Sequence, residues 1–220
     1  MLYDDDFHKI DGTGNISNLF MNIPAQLTSN AKRYMASTAI GSRIDRKEET
    51  YIAEMVDSQV VTIAYHANDP NVGLGMYRNN SYYKLFLADT GLFVTLAFWD
   101  KDYTENTIYT KLLSDKLSAN LGYVYENIVA QMLTANGYNL YYYTFPDSNN
   151  HNYEVDFLLS KGDKIVPIEV KSSGYKTHKS LDEFCKKFSS RISKRILLYS
   201  KDYLQDEQIT CLPIYYTGLL

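Results

Sequence analysis

The chain has 220 residues, with 22 Lys and Arg against 26 Asp and Glu and a formal net charge of -4. That length suits one full domain or two small ones, and 45% hydrophobic with 22% charged residues excludes wholesale disorder. The longest apolar stretch, Leu92 to Trp99, falls far short of the roughly 20 residues that span a bilayer. Met1-Leu2-Tyr3-Asp4-Asp5-Asp6 is acidic where a secretory leader would be basic and then apolar, so a cytoplasmic protein with no membrane partner is expected. Cys185 and Cys211 are too few for a disulfide framework or a metal knuckle. A mildly acidic total is, on its face, a poor match for nucleic acid.

In chain order, Ile16, Leu19, Phe20, Ile23 and Leu27 recur at helical spacing, and Pro24 ends or kinks that helix. Asp45 to Asp57 is again helical, with Ile44, Tyr51, Ile52 and Met55 on one side. Val60, Val61, Ile63 and Tyr65 read as a strand, and Tyr83 to Leu87 as its return after a loop through Asn68-Asp69-Pro70 and Gly73. Helices followed by a β-hairpin is the order of a winged helix-turn-helix. The Asp45 to Asp57 segment has Arg46 and Lys47 against five acids, so this unit is expected to contact protein rather than read DNA. Asp89 is expected to cap the segment after the hairpin.

Residues 100–115 look like a link. Leu117, Leu121, Val124, Ile128 and Met132 then define a long amphipathic helix stopped by Asn136-Gly137. Strands at Tyr138–Phe145, Tyr153–Leu159 and Ile165–Lys171 follow, then a helix near Ser180–Ser190, a strand at Arg195–Tyr199 and a last strand near Cys211–Tyr215. The 21 tyrosines, clustered at Tyr141-Tyr142-Tyr143 and Tyr215-Tyr216, are better explained as half-buried strand residues than as base-stacking platforms.

Four residues carry chemistry: Glu126, Asp156, Glu169 and Lys171. Side chains alternate along a strand, so Glu154, Asp156 and Leu158 share one face, and Glu169 and Lys171 project together opposite Val166, Ile168 and Val170. The turn Lys161-Gly162-Asp163 makes the two strands antiparallel neighbours, which lets Asp156 approach Glu169. Two carboxylates beside an ammonium suit a hard cation and a water nucleophile, since Mg²⁺ binds through one or two carboxylates, several waters and phosphate. Glu126 sits on a helix stripe that is otherwise small or apolar, where a carboxylate is costly unless paired or ligating.

The order helix-Glu, strand-Asp, strand-Glu-x-Lys is the active-site pattern of the PD-(D/E)XK nuclease superfamily. The stretches Tyr83 to Leu92, Gly122-Tyr123-Val124-Tyr125-Glu126-Asn127, Glu154-Val155-Asp156-Phe157 and Pro167-Ile168-Glu169-Val170-Lys171-Ser172 together resemble one group within it. That group is the C-terminal half of an uncharacterised prokaryotic family of AAA-type ATPases, in which a winged-helix-like segment and a nuclease-like domain follow the nucleotide-binding core. The resemblance implies an α/β, restriction-endonuclease-like mixed sheet flanked by helices at residues 101–220, after a winged-helix-like α+β segment at 1–100. It makes Asp156 and Glu169 ligands of Mg²⁺ or Mn²⁺, Lys171 the water-orienting residue, and Glu126 a further ligand or a metal-water contact. DNA is the implied substrate, and an ATPase domain or partner chain the implied companion.

Val155 stands where the superfamily's motif has Pro. No Gly-Lys dipeptide occurs, so there is no phosphate-binding loop, and the resemblance implies a fragment, a designed chain or a stand-alone relative. The same residues also allow blander roles: Glu169 and Lys171 as an exposed ion pair, Asp156 as an edge-strand charge, His151 as a loop histidine, and Ser172 and Ser173 as a strand-ending turn. A catalytically silent nuclease fold that binds DNA or protein, and a regulatory adaptor, are the alternatives to hydrolysis. Charge is unevenly spread: residues 157–201 carry 11 basic and 4 acidic side chains, residues 1–156 carry 11 and 19. The basic stretch contains Glu169 and Lys171, which places any expected nucleic-acid contact on the C-terminal half.

Overall fold

The computed structural model describes residues 2–29, 31–41, 47–98, 110, 114, 122–147, 152–172, 174–206 and 209–220. The expected boundary at 100/101, the link at 100–115, Ile44, Asp45, Arg46, Leu117, Leu121, His151 and Ser173 lie outside, wholly or in large part. Within the described residues the chain forms two mixed sheets flanked by helices. None of these helices is long and apolar enough to cross a membrane.

Five short helices come first: α1 (Leu2–Ile10), α2 (Asn15–Met21), α3 (Ile23–Thr28), α4 (Ala36–Ile40) and α5 (Glu48–Asp57). The single helix expected around Ile16 to Leu27 is two, because the chain breaks at Asn22 and Pro24 opens α3, where a missing N–H costs nothing. Ile16, Leu19, Phe20, Ile23, Ile52 and Met55 bury their side chains in one core. The hairpin of β1 (Val61–Ala67) and β2 (Arg78–Leu87) packs on that core, and α6 (Thr90–Ala97) follows. Asp89 does cap α6, its carboxylate accepting from the Gly91 and Leu92 amides at 2.7 and 3.3 Å.

Helix α7 (Gly122–Ala135) ends as expected at Gly137, whose φ of +83° is the left-handed conformation that glycine adopts freely. Strand β3 (Leu140–Pro146) runs parallel to β1, with Ala64 beside Leu140, and antiparallel to β4 (Asn152–Val155). The four-stranded sheet is therefore ordered β2-β1-β3-β4, joining the N-terminal hairpin to the strands after α7.

The strand expected at Tyr153–Leu159 bends at Asp156 into β4 and β5 (Phe157–Lys161), carrying the chain from the first sheet to the second. That second sheet is ordered β5-β6-β7-β9-β8, with β6 (Lys164–Val170), β7 (Arg195–Tyr199), β8 (Leu204–Asp206) and β9 (Ile209–Pro213). Its two faces bury alternate residues. Phe157, Leu159, Val166 and Ile168 pack with Val129, Ala130 and Leu133 of α7, while Leu158 and Ile165 pack with Leu181, Phe184 and Cys185 of α8 (Lys179–Lys187). Cover on both faces explains why β6 is apolar almost throughout.

Candidate functional site

Strands β5 and β6 are antiparallel with Phe157 opposite Ile168, a register that sets Asp156 opposite Glu169 at the bend. One Asp156 carboxylate oxygen accepts from the Val170 amide at 2.7 Å. Just past the end of β6, the Lys171 ammonium donates to Glu169 Oε1 at 2.7 Å. The other Glu169 oxygen, Oε2, has no hydrogen-bond partner, in a side chain only 6% exposed. A buried carboxylate oxygen normally finds a donor or a cation, so this one stands out among the polar atoms of the cluster.

Glu126 reaches the same place from α7. The helix is latched to the N-terminal hairpin by the fully buried Asn127, which accepts from the Leu87 amide at 2.9 Å and donates to the Leu87 carbonyl at 3.0 Å and the Thr90 hydroxyl at 2.9 Å. Gln131 adds a bond from the Thr90 hydroxyl at 2.7 Å. The residue beside Glu126 thus fixes this stretch of α7 against the hairpin.

Two residues missed in the sequence complete the cluster. Lys84 of β2, buried in a strand of apolar residues, donates to Glu154 Oε1 of β4. The two strands are opposite edges of the four-stranded sheet; Lys84 pairs with the small Ala64 of β1, and its ammonium lies over the Tyr142 ring, 5.2 Å from the centroid. A lone lysine among Leu85, Phe86 and Leu87 was the available signal; its partner 70 residues away was not.

The electrostatics follow from crowding. Burial pushes Glu126 up to about 7, with Glu154 and Glu169 adding repulsion and Lys84 and Lys171 opposing. Burial and the charges of Glu169, Glu126 and Glu154 hold the Asp156 carboxyl well above its usual range. Glu169 is raised by burial, against Lys171, whose charge and hydrogen bond favour the carboxylate, and against nearby His178. Burial works against the charge of Lys171, yet Glu169 and the other carboxylates outweigh it and raise its pKa, so it stays an ammonium. All four sequence-derived residues are therefore within electrostatic reach of one another, together with Lys84 and Glu154.

Among the described residues no three His, Cys, Asp or Glu side chains close tightly enough to hold a metal ion by themselves. Mg²⁺ does not require that, because it keeps waters and often uses only one or two carboxylates. Asp156 and Glu169, the latter with its buried spare oxygen, fit such a half-open site.

Fold and site together define a mixed α/β protein with a cluster of carboxylates and lysines where a bent strand passes between two sheets. Residues 121–217 match the model of a domain of unknown function, DUF4143. No curated protein and no solved structure matches the chain.

Proposed function

We propose that the chain is a restriction-endonuclease-like module of the PD-(D/E)XK type, joined to a winged-helix-like segment, that hydrolyses DNA phosphodiesters with Mg²⁺ or Mn²⁺. In this reading it derives from the C-terminal region of an AAA-type ATPase family. The observation that carries it is the buried, unpartnered Glu169 Oε2 beside Asp156 and Lys171, in the order helix-Glu, strand-Asp, strand-Glu-x-Lys. Asp156 and Glu169 hold the cation, and Glu126 is a further ligand or contacts a metal-bound water. When bound, the cation stabilises negative charge on the phosphate and lowers the pKa of an attacking water.

The protein's own groups divide the remaining work. Lys171 keeps Glu169 oriented through Oε1 and leaves Oε2 for the ligand. Because its pKa is raised, Lys171 orients water or steadies phosphate as a cation and does not remove a proton. The amide of Val170 fixes Asp156 at the bend.

A second reading has support in the close Lys171–Glu169 pair, which already occupies one of the two Glu169 oxygens. It is a silent nuclease fold that binds DNA or a protein partner for an ATPase. Plasmid and branched DNA incubated with Mg²⁺ or Mn²⁺ separate the two. The wild type should nick DNA, and Asp156→Ala and Lys171→Ala should each lose about a hundredfold or more. Cleavage that survives both substitutions contradicts the proposal, and intact metal binding without cleavage selects the silent module.

A further inference from the structure

Residues 31–35, between α3 and α4, are held by hydrogen bonds that do not involve the Lys32 or Arg33 side chains. The Lys32 carbonyl accepts from the Tyr142 hydroxyl at 2.6 Å, and the Tyr34 amide donates to the Tyr83 carbonyl at 2.6 Å. The Tyr34 hydroxyl donates to the Leu19 carbonyl at 2.6 Å. Gln26 brackets Met35, accepting from its amide at 2.6 Å and donating to its carbonyl at 2.8 Å. Lys32 and Arg33 therefore project from a rigid backbone.

Lys32 points its ammonium toward the carboxylate cluster. Its Nζ is 3.8 Å from Glu154 Oε2, beyond hydrogen-bond length, and its side chain is 34% exposed. Glu154, two residues before Asp156, is shared by two cations, buried Lys84 at Oε1 and Lys32 at Oε2. Of the two, only the longer, more exposed Lys32 contact leaves an ammonium that an incoming phosphate can also reach. Arg33, exposed, lies over the Tyr82 ring at 5.0 Å on the same loop. A polyanion approaching a cluster of four carboxylates is repelled unless cations stand at its rim, and a pre-ordered loop holds them there with little further entropy loss on binding.

We propose that this N-terminal loop is a phosphate-binding arm of the site, with the Lys32 ammonium receiving a nucleic-acid backbone phosphate next to the one that meets Asp156 and Glu169. Arg33 supplies the next contact outward. The arm rests on the phosphodiesterase reading above. It assigns substrate contact to the segment whose net charge is acidic.

The test is binding of a fluorescein-labelled 20-base-pair duplex by the full chain in Ca²⁺, followed by anisotropy between 50 and 200 mM salt. Lys32→Ala should weaken binding about three- to tenfold and lower the slope of log affinity against log salt by about 0.9, while Lys32→Arg keeps the wild-type slope. Lys32→Gln replaces the alanine variant if the latter melts early. An unchanged slope in Lys32→Ala, with salt-dependent binding by the wild type, overturns the arm alone. A wild type with no salt-dependent binding overturns the phosphodiesterase reading and the arm with it.

Discussion

Residues 157–201 carry 11 basic and 4 acidic side chains, whereas residues 1–156 carry 11 and 19. Several cations of the basic stretch are nonetheless committed to the fold. Lys164 donates to the Ser190 carbonyl at 2.5 Å, Arg191 pairs with Asp69, Lys186 pairs with Glu183, and Lys179 and Lys187 lie over Tyr153 and Phe145. The acidic stretch, by contrast, sends Lys84 into the carboxylate cluster and sets Lys32 at its rim. Segment charge thus reports the solvent-averaged field, while the cations that matter to a site are chosen by which strands the topology brings together.

Breaking the N-terminal contribution should have the largest effect. Lys84→Met leaves Glu154 beside Glu126 and Asp156 without its buried counter-ion, at a cost of about 3–5 kcal/mol in urea unfolding. Adding Glu154→Leu to Lys84→Met should recover most of that loss; if the double variant is as unstable as the single, the pair is not what couples the two regions. Next comes the latch between them. Asn127→Ala strands the Leu87 amide and carbonyl in the interior and should cost about 2–3 kcal/mol. A loss under about 0.5 kcal/mol would show that α7 is placed by packing alone.

A smaller, pH-dependent effect sharpens the comparison. Glu126 is raised from 4.5 to about 7, so between those values the folded protein binds more protons than the unfolded chain. Stability in metal-free buffer therefore falls as pH rises from about 4.5 through 7, and Asp156 and Glu169 act in the same direction. Glu126→Gln should flatten that decline in urea midpoints taken across the range; an equally steep decline would remove Glu126 from the cluster. The smallest effect belongs to the basic stretch. Lys186→Ala, at an exposed pair on α8, should leave the melting midpoint unchanged within error, since such pairs are screened by water.

Much of this was legible in local pattern. The Asn136-Gly137 stop, the Asp89 cap and the strand at Arg195–Tyr199 all rest on short-range chemistry, and the structure has them. Helix α6 was not recognised because Thr90 to Ala97 is apolar on nearly every side, with no amphipathic period to read. Strand β8 is three residues long and partly exposed, too short for alternation to register. The bend at Asp156 was invisible for a different reason. Tyr153 to Leu159 alternates as one strand would, and only the existence of two sheets requires it to turn. Alternation did set Glu169 and Lys171 on one face, but a face has no address. That Lys84 reaches Glu154 beside it depends on pairings between strands far apart in sequence.

The central claim, that Asp156 and Glu169 form a half-open cation site, is tested most directly by titrating Mn²⁺ into metal-free protein by calorimetry. The account predicts uptake by the wild type, weakened at least about tenfold by Glu169→Gln and by Asp156→Asn, and unchanged by Lys186→Ala. No uptake by folded wild-type protein, or uptake indifferent to both carboxylate substitutions, would contradict it.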